Sequence, residues 1–246
     1  MFLKRAFATL IDVKGHRLPK DFDLYPNFFT FSEQRILLTT ALQKLDATES
    51  RRARKRRKEF QSSISPSSDL SSSSLQDLFL PDDYYAFEEG HYDNVIRNYR
   101  EMHVSSWPES EVSGLSSILS RLRTLHPTGD TQTHLLHLAS TGEILPHVDN
   151  VSASGSWILG ASLGAERIMR MESTSVMEDS FEVLLPSGSV YLQRLLMALI
   201  GLLHRDSVRF GYRHSILRAG CFRGREIDGG PRVSIMVRDR KAVDRP

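Results

Sequence analysis

The spacing of apolar residues divides the 246-residue chain into a helical front and a strand-rich remainder. From Phe31 the positions Ile36, Leu37, Ala41, Leu42 and Leu45 recur on one helical face, with Ser32 as the expected N-cap and Glu33 in the first turn. A second helix is expected over 109–124, where Val112, Leu115, Ile118, Leu119 and Leu122 form a stripe suited to the back of a sheet. From Thr133 the period shortens. Leu135 to Ala139 reads as a buried strand, Thr141-Gly142 as a turn and Ile144 to Asp149 as the next strand. Further strands are expected over 156–163, 167–171, 180–185, 189–194, 213–217 and 232–238. Short strands with Gly, Ser and Pro between them read as a double-sheet jelly roll rather than a parallel α/β sheet. The expected class is α+β, mainly β, with the N-terminal helices supporting the sheets.

Composition changes this picture at three stretches. Residues 51–58 are basic at seven of eight positions and read as a solvated helix end running into a loop, with a nuclear-import or nucleic-acid patch as the alternative. Residues 61–78 are Ser-rich around Pro66, too poor in large apolar groups to offset the entropy of ordering, so a flexible insert is expected there. At the front, Lys4 and Arg5 lie among apolar residues with no acid before Asp12. Residues 1–20 therefore fit a short amphipathic mitochondrial presequence, an ordinary mobile terminus being the other reading. The longest apolar run, Leu195 to Leu203, is half of what a bilayer crossing needs, so no membrane insertion is expected. A net charge of +2 is too small to argue for nucleic acid from the whole chain.

The one cysteine, Cys221, excludes an internal disulfide and any thiolate cluster, and reads as an inert loop thiol. Any metal must then be held by His and carboxylate. In Ile144-Leu-Pro-His-Val-Asp-Asn150, His147 and Asp149 share a strand face, and an imidazole beside a carboxylate suits an iron-like divalent metal in a 2-His-1-carboxylate triad. His91-Tyr92-Asp93 is a second copy of the tripeptide pattern. Two residues compete for the distal histidine. His204 follows Asp149 by 55 positions but ends an apolar block, whereas His214 follows by 65 and can share a strand face with Ile216. Near the C-terminus, Arg232, Ser234, Met236 and Arg238 alternate with Val233, Ile235 and Val237. Two guanidinium groups on one strand face are either solvated or form a wall that receives a carboxylate. His137 reads as a strand histidine with a hydrogen-bond partner, and Trp107 and Trp157 as packing residues.

Leu145-Pro-His-Val-Asp149, Pro186-Ser-Gly-Ser-Val-Tyr-Leu-Gln-Arg194, Arg209-Phe-Gly-Tyr-Arg-His-Ser-Ile-Leu-Arg218 and Pro231-Arg-Val-Ser-Ile235 together resemble the AlkB family of iron(II)- and 2-oxoglutarate-dependent dioxygenases, closest to its mitochondrial branch, AlkB homologue seven. The resemblance covers residues 25–50 and 79–240 and implies a double-stranded β-helix over 79–240 behind a helical part at 21–60. It implies His147, Asp149 and His214 as iron ligands. Arg232 would pair with the distal carboxylate of 2-oxoglutarate, Tyr191 would bond the same end, and Ser234 and Arg238 would line the rest of the pocket. Residues 195–205 then look inserted, which favours His214 over His204, and His91 and Asp93 look structural. Where AlkB has an Asn-x-Tyr pair, this chain has Leu136 and Leu138, a departure that weakens a DNA-repair reading. The implied activity uses Fe(2+), 2-oxoglutarate and O2 to hydroxylate or demethylate a protein or RNA substrate. The implied setting is the mitochondrial matrix, with links to mitochondrial stress or necrosis and fatty-acid metabolism, the protein acting as a monomer. Three rival readings stand beside it: a catalytically silent β-barrel binding module, a nucleic-acid-binding protein using residues 51–58, and a cupin-like metalloenzyme, which leaves Arg232 and Arg238 unexplained.

Overall fold

In the computed structural model the described residues are 18–63, 74–149, 155–176, 179–195 and 208–240. The expected presequence falls almost wholly outside them, as do the body of the Ser-rich stretch, most of the apolar block after Leu195, and His204. Twelve strands and four α-helices follow in the order β1 (Phe22–Tyr25), α1 (Phe31–Thr48), α2 (Arg51–Ser63), β2 (Glu88–Gly90), β3 (Ile96–Val104), α3 (Leu115–Arg123), β4 (Thr131–His147), β5 (Trp157–Gly164), β6 (Arg167–Ser173), β7 (Ser180–Leu185), β8 (Val190–Arg194), α4 (Val208–Gly211), β9 (Tyr212–Ile216), β10 (Gly220–Phe222), β11 (Arg225–Ile227) and β12 (Arg232–Asp239).

All but β10 and β11 join one antiparallel sheet in the order β1-β8-β5-β12-β4-β9-β6-β7, with β3 also on β4 and β2 on β3. The long β4 makes this possible. Its first half pairs with β12 and β3, and its end, Ile144 and His147, pairs with β9. The Thr141-Gly142 turn expected from sequence is instead where one continuous strand passes from one half of the sheet to the other. Opposite it β3 bulges between Arg97 and Tyr99, and the carbonyl of Asn98 comes so near that a Cβ on Gly142 would lie 2.6 Å from it. Arg167, fully buried, stitches this passage by donating to the carbonyls of Ala139, Gly142, Arg218 and Gly230.

The alternation along β12 sorts two cores. Val233, Ile235 and Val237 pack with Leu37, Leu38 and Leu45 of α1 and Leu115, Leu119 and Leu122 of α3. On the other face Met236 joins Leu136, Leu138, Met169, Met171, Tyr191 and Ile216. Helix α1 begins two residues earlier than Ser32 predicted, because Thr30 and Glu33 form a capping box in which each side chain accepts from the other's backbone N–H. Helix α3 is shorter than 109–124: Gly114, at φ 82, starts it and the residues before form turns. The basic run is solvated as expected at six of its seven basic residues, but it does not run into a loop. It forms α2, whose Arg57 is buried between Asp46 of α1, Glu49 at that helix's C-cap and the carbonyl of Tyr84, while Phe60 stacks on Tyr84. That helix continues through Ser63, into the start of the expected Ser-rich insert, and Leu75 near its end is buried in the core.

Candidate metal centre

Two strands bring the first two candidate ligands together. His147 at the end of β4 and His214 on β9 are direct cross-strand partners, so both imidazoles leave the same face and their ring centroids lie 4.2 Å apart. Asp149 follows β4 by two residues, and its Oδ1 lies 3.7 Å from His147 Nε2 and 3.8 Å from His214 Nε2. One donor atom from each of the three lies within 4.8 Å of the others, spacing that a single divalent ion can bridge. The tautomer suits it. Nδ1 of His147 lies 2.9 Å from the Leu145 carbonyl, to which it donates, and this leaves Nε2 as the bare donor. Burial, opposed by Asp149, pushes His214 down to about 4. Burial would raise the Asp149 carboxyl, but His214, Arg209 and His147 together bring it below its usual value. A site whose imidazole and carboxylate resist protonation keeps its lone pairs ready for a cation.

A cationic side chain is buried on β12, the strand beside β4. Arg232, 2% exposed, donates from Nε to Ser162 Oγ at 3.0 Å. Burial lowers its guanidinium to about 10, and no carboxylate among the described residues offsets that. Tyr191 is close to both Arg232 and the triad: burial raises its phenol, and Arg232, Asp149 and Arg209 are all near enough to influence it. Its ring stacks on Phe22 and covers Gly160, where an added Cβ would fall 2.3 Å from the ring carbon bearing the hydroxyl. Ser234 is buried on the same strand face as Arg232, and Leu136 and Leu138 wall that side. Arg238 lies at the far end of the face, half-buried, where its guanidinium donates to Gln132 Oε1 at 3.2 Å.

Sequence reasoning passed over Arg209. Its side chain is wholly buried and its Nη1 donates to Asp149 Oδ2. The available signal was an arginine five residues before His214 in a motif already singled out. The second His-x-Asp forms only a local turn: His91 Nδ1 meets Asp93 Oδ1 at 2.8 Å, and the same oxygen accepts from Val95 N before β3 begins. His137 has its expected partner, Arg100 Nε at 2.9 Å, and Trp157 is buried in the core against which Trp107 packs. Cys221 is exposed on β10 rather than in a loop.

No family model matches the chain. It is 32% identical over 154 residues to the Bos taurus protein named alpha-ketoglutarate-dependent dioxygenase alkB homolog 7, mitochondrial, covering 62% of this chain and 65% of that one. The Mus musculus protein of the same name is 32% identical over 158 residues, with the same coverage of 62% and 65%. The chain thus spans 65% of the length of the curated relatives it matches. Among solved structures, OsALKBH1 superposes with a TM-score of 0.51 at 12% identity, covering 91% of this chain and all of that one. That likeness concerns the fold, and with the curled antiparallel sheet it bears out the expected double-stranded β-helix.

Proposed function

We propose, from the premise that this is an AlkB-like chain, that it is an iron(II)- and 2-oxoglutarate-dependent dioxygenase that hydroxylates or demethylates a protein or RNA substrate in mitochondria. One observation carries the reading: His147, Asp149 and His214 converge within 4.8 Å, and on β12 beside β4 stands a buried Arg232 that no described carboxylate neutralises. The donor set of two imidazoles and one carboxylate fits iron(II), and the guanidinium fits the distal carboxylate of 2-oxoglutarate. Bound together, iron and co-substrate supply the activation of O2 and the oxidation of a substrate C–H bond.

The chain's own residues set geometry and charge. The Leu145 carbonyl keeps the His147 proton on Nδ1. His147, Asp149 and His214 would hold the ion from one side, leaving it open to a co-substrate. Arg232 and the Tyr191 hydroxyl receive the far carboxylate, Ser234 lines the pocket beside them, and Leu136 and Leu138 keep that end dry. Arg238, bonded to Gln132, stands at the edge of the pocket. Where the oxidised carbon is an N-methyl group, hydroxylation leads to release of formaldehyde and a demethylated nitrogen.

Succinate formed from 2-oxoglutarate with added iron(II) tests the reading. Wild-type protein should turn over, His147→Ala and His214→Ala should not, and Arg232→Met should raise the KM for 2-oxoglutarate by about 30-fold or more, the roughly 2 kcal/mol of a lost buried charge pair. Folded wild-type protein that neither retains iron nor forms succinate would leave the silent binding module as the better reading.

A further inference from the structure

We propose that Arg209 is a positioning residue of the metal centre, holding Asp149 by one oxygen so that the other alone is offered to the metal; this rests on reading His147, Asp149 and His214 as metal ligands. The Arg209 guanidinium has no exposed surface, and it occupies Oδ2 of Asp149. Oδ1 is then left facing the Nε2 atoms of both histidines. An unheld carboxylate rotates about its Cβ–Cγ bond and can take a metal with one oxygen or two. Two would use a fourth position on an octahedral ion, where chelation by a keto acid and access for O2 need three to remain.

The pairing also preforms the aperture. A buried carboxylate costs several kcal/mol unless a counter-charge stands beside it, and Arg209 supplies that charge before any cation arrives. Its own position is fixed twice. The N–H of Val208, which opens α4, donates to Asp21 Oδ2 at 2.7 Å, and the guanidinium lies 5.0 Å from the Phe210 ring centroid. Arg238, the other arginine expected at this pocket, is engaged by Gln132.

Cobalt(II) titration of the wild-type and Arg209→Gln proteins tests the role without turnover. The glutamine variant should bind about 10- to 100-fold more weakly, the usual effect of removing a partner of a metal ligand, and the visible absorption of its cobalt complex should change with the altered ligation. In an Asp149→Ala background the same substitution should add no further weakening, whereas a purely structural role would still lower affinity. A folded Arg209→Gln protein with wild-type affinity and absorption overturns the proposal. If the glutamine variant loses its far-UV circular dichroism, Arg209→Lys decides by the same two readouts: several-fold weaker binding with a changed band supports the proposal, and wild-type behaviour overturns it. Absence of cobalt uptake by the wild type overturns the metal centre and this proposal with it; uptake that Arg209→Gln leaves unchanged overturns this proposal alone.

Discussion

Gly160 decides how closely Tyr191 can lie on β5, since any larger side chain would enter the phenol ring. The Gly160→Ala protein should therefore bind 2-oxoglutarate several-fold more weakly while its cobalt affinity stays at wild-type level, as isothermal titration with each ligand would show; equal loss of both would mean the change had disturbed the fold. Two buried histidines set a pH dependence. Burial, helped by Arg100, holds His137 well below its ordinary value, and burial pushes His214 to about 4. Each takes its proton more readily when unfolded, so the unfolded chain binds more protons as pH falls and stability must fall with it. Metal-free protein should lose up to about 1.4 kcal/mol per pH unit for each such histidine, beginning near pH 6.5 and ending, for His214, near 4. Urea unfolding with a chelator present would measure it, and a flat profile would contradict it. At this scale the closeness of His147 and Asp149 was legible from their i and i+2 spacing, which the proposed metal chemistry demands. Arg209 was not, because a counter-ion need only reach its partner in space and leaves no spacing rule in the chain.

Among the elements, α2 shows how one member of a solvated charge run can escape the pattern. Seven basic residues in eight suggest solvent, yet Arg57 is 3% exposed and shares Asp46 and Glu49 with Arg100 of β3. Replacing it with methionine should cost about 2 to 3 kcal/mol, less than a fully orphaned buried charge because Arg100 still reaches Glu49. The freed helix should be cut by trypsin within 51–58 faster than in the wild type; unchanged cleavage would mean that Arg57 does not hold it. The same ion cluster explains why β3 escaped the pattern. Its Arg100 faces α1 while Tyr99 and Glu101 face the other way, so polar residues stand on both faces and the apolar–polar alternation that revealed β12 is lost. Strand β1 was too short to read, four residues whose role comes from pairing with β8. By contrast β5 to β9 were legible to within about two residues, because one face of each is apolar and turn residues bound them.

For the molecule as a whole, β8 and α4 are tied to each other through Asp21. Arg194 N donates to the Asp21 carbonyl at 2.9 Å and Val208 N to the Asp21 side chain at 2.7 Å, so the two flanks meet at one buried residue. Exchanging residues 196–206 for a short Gly/Ser link should leave cobalt affinity within about threefold, and Asp21→Ala should weaken it by loosening α4; a link that abolishes metal uptake would contradict this. The sheet order has its own outcome during synthesis. Strand β12, the last of the twelve in sequence, lies between β4 and β5 in the middle of the sheet. Until nearly the whole chain has left the ribosome, two long neighbours present bare edges to the cytosol, a state prone to mispairing and in need of chaperones. A premature stop anywhere before Arg232 would therefore remove the keystone and, with it, the arch that holds His147 beside His214.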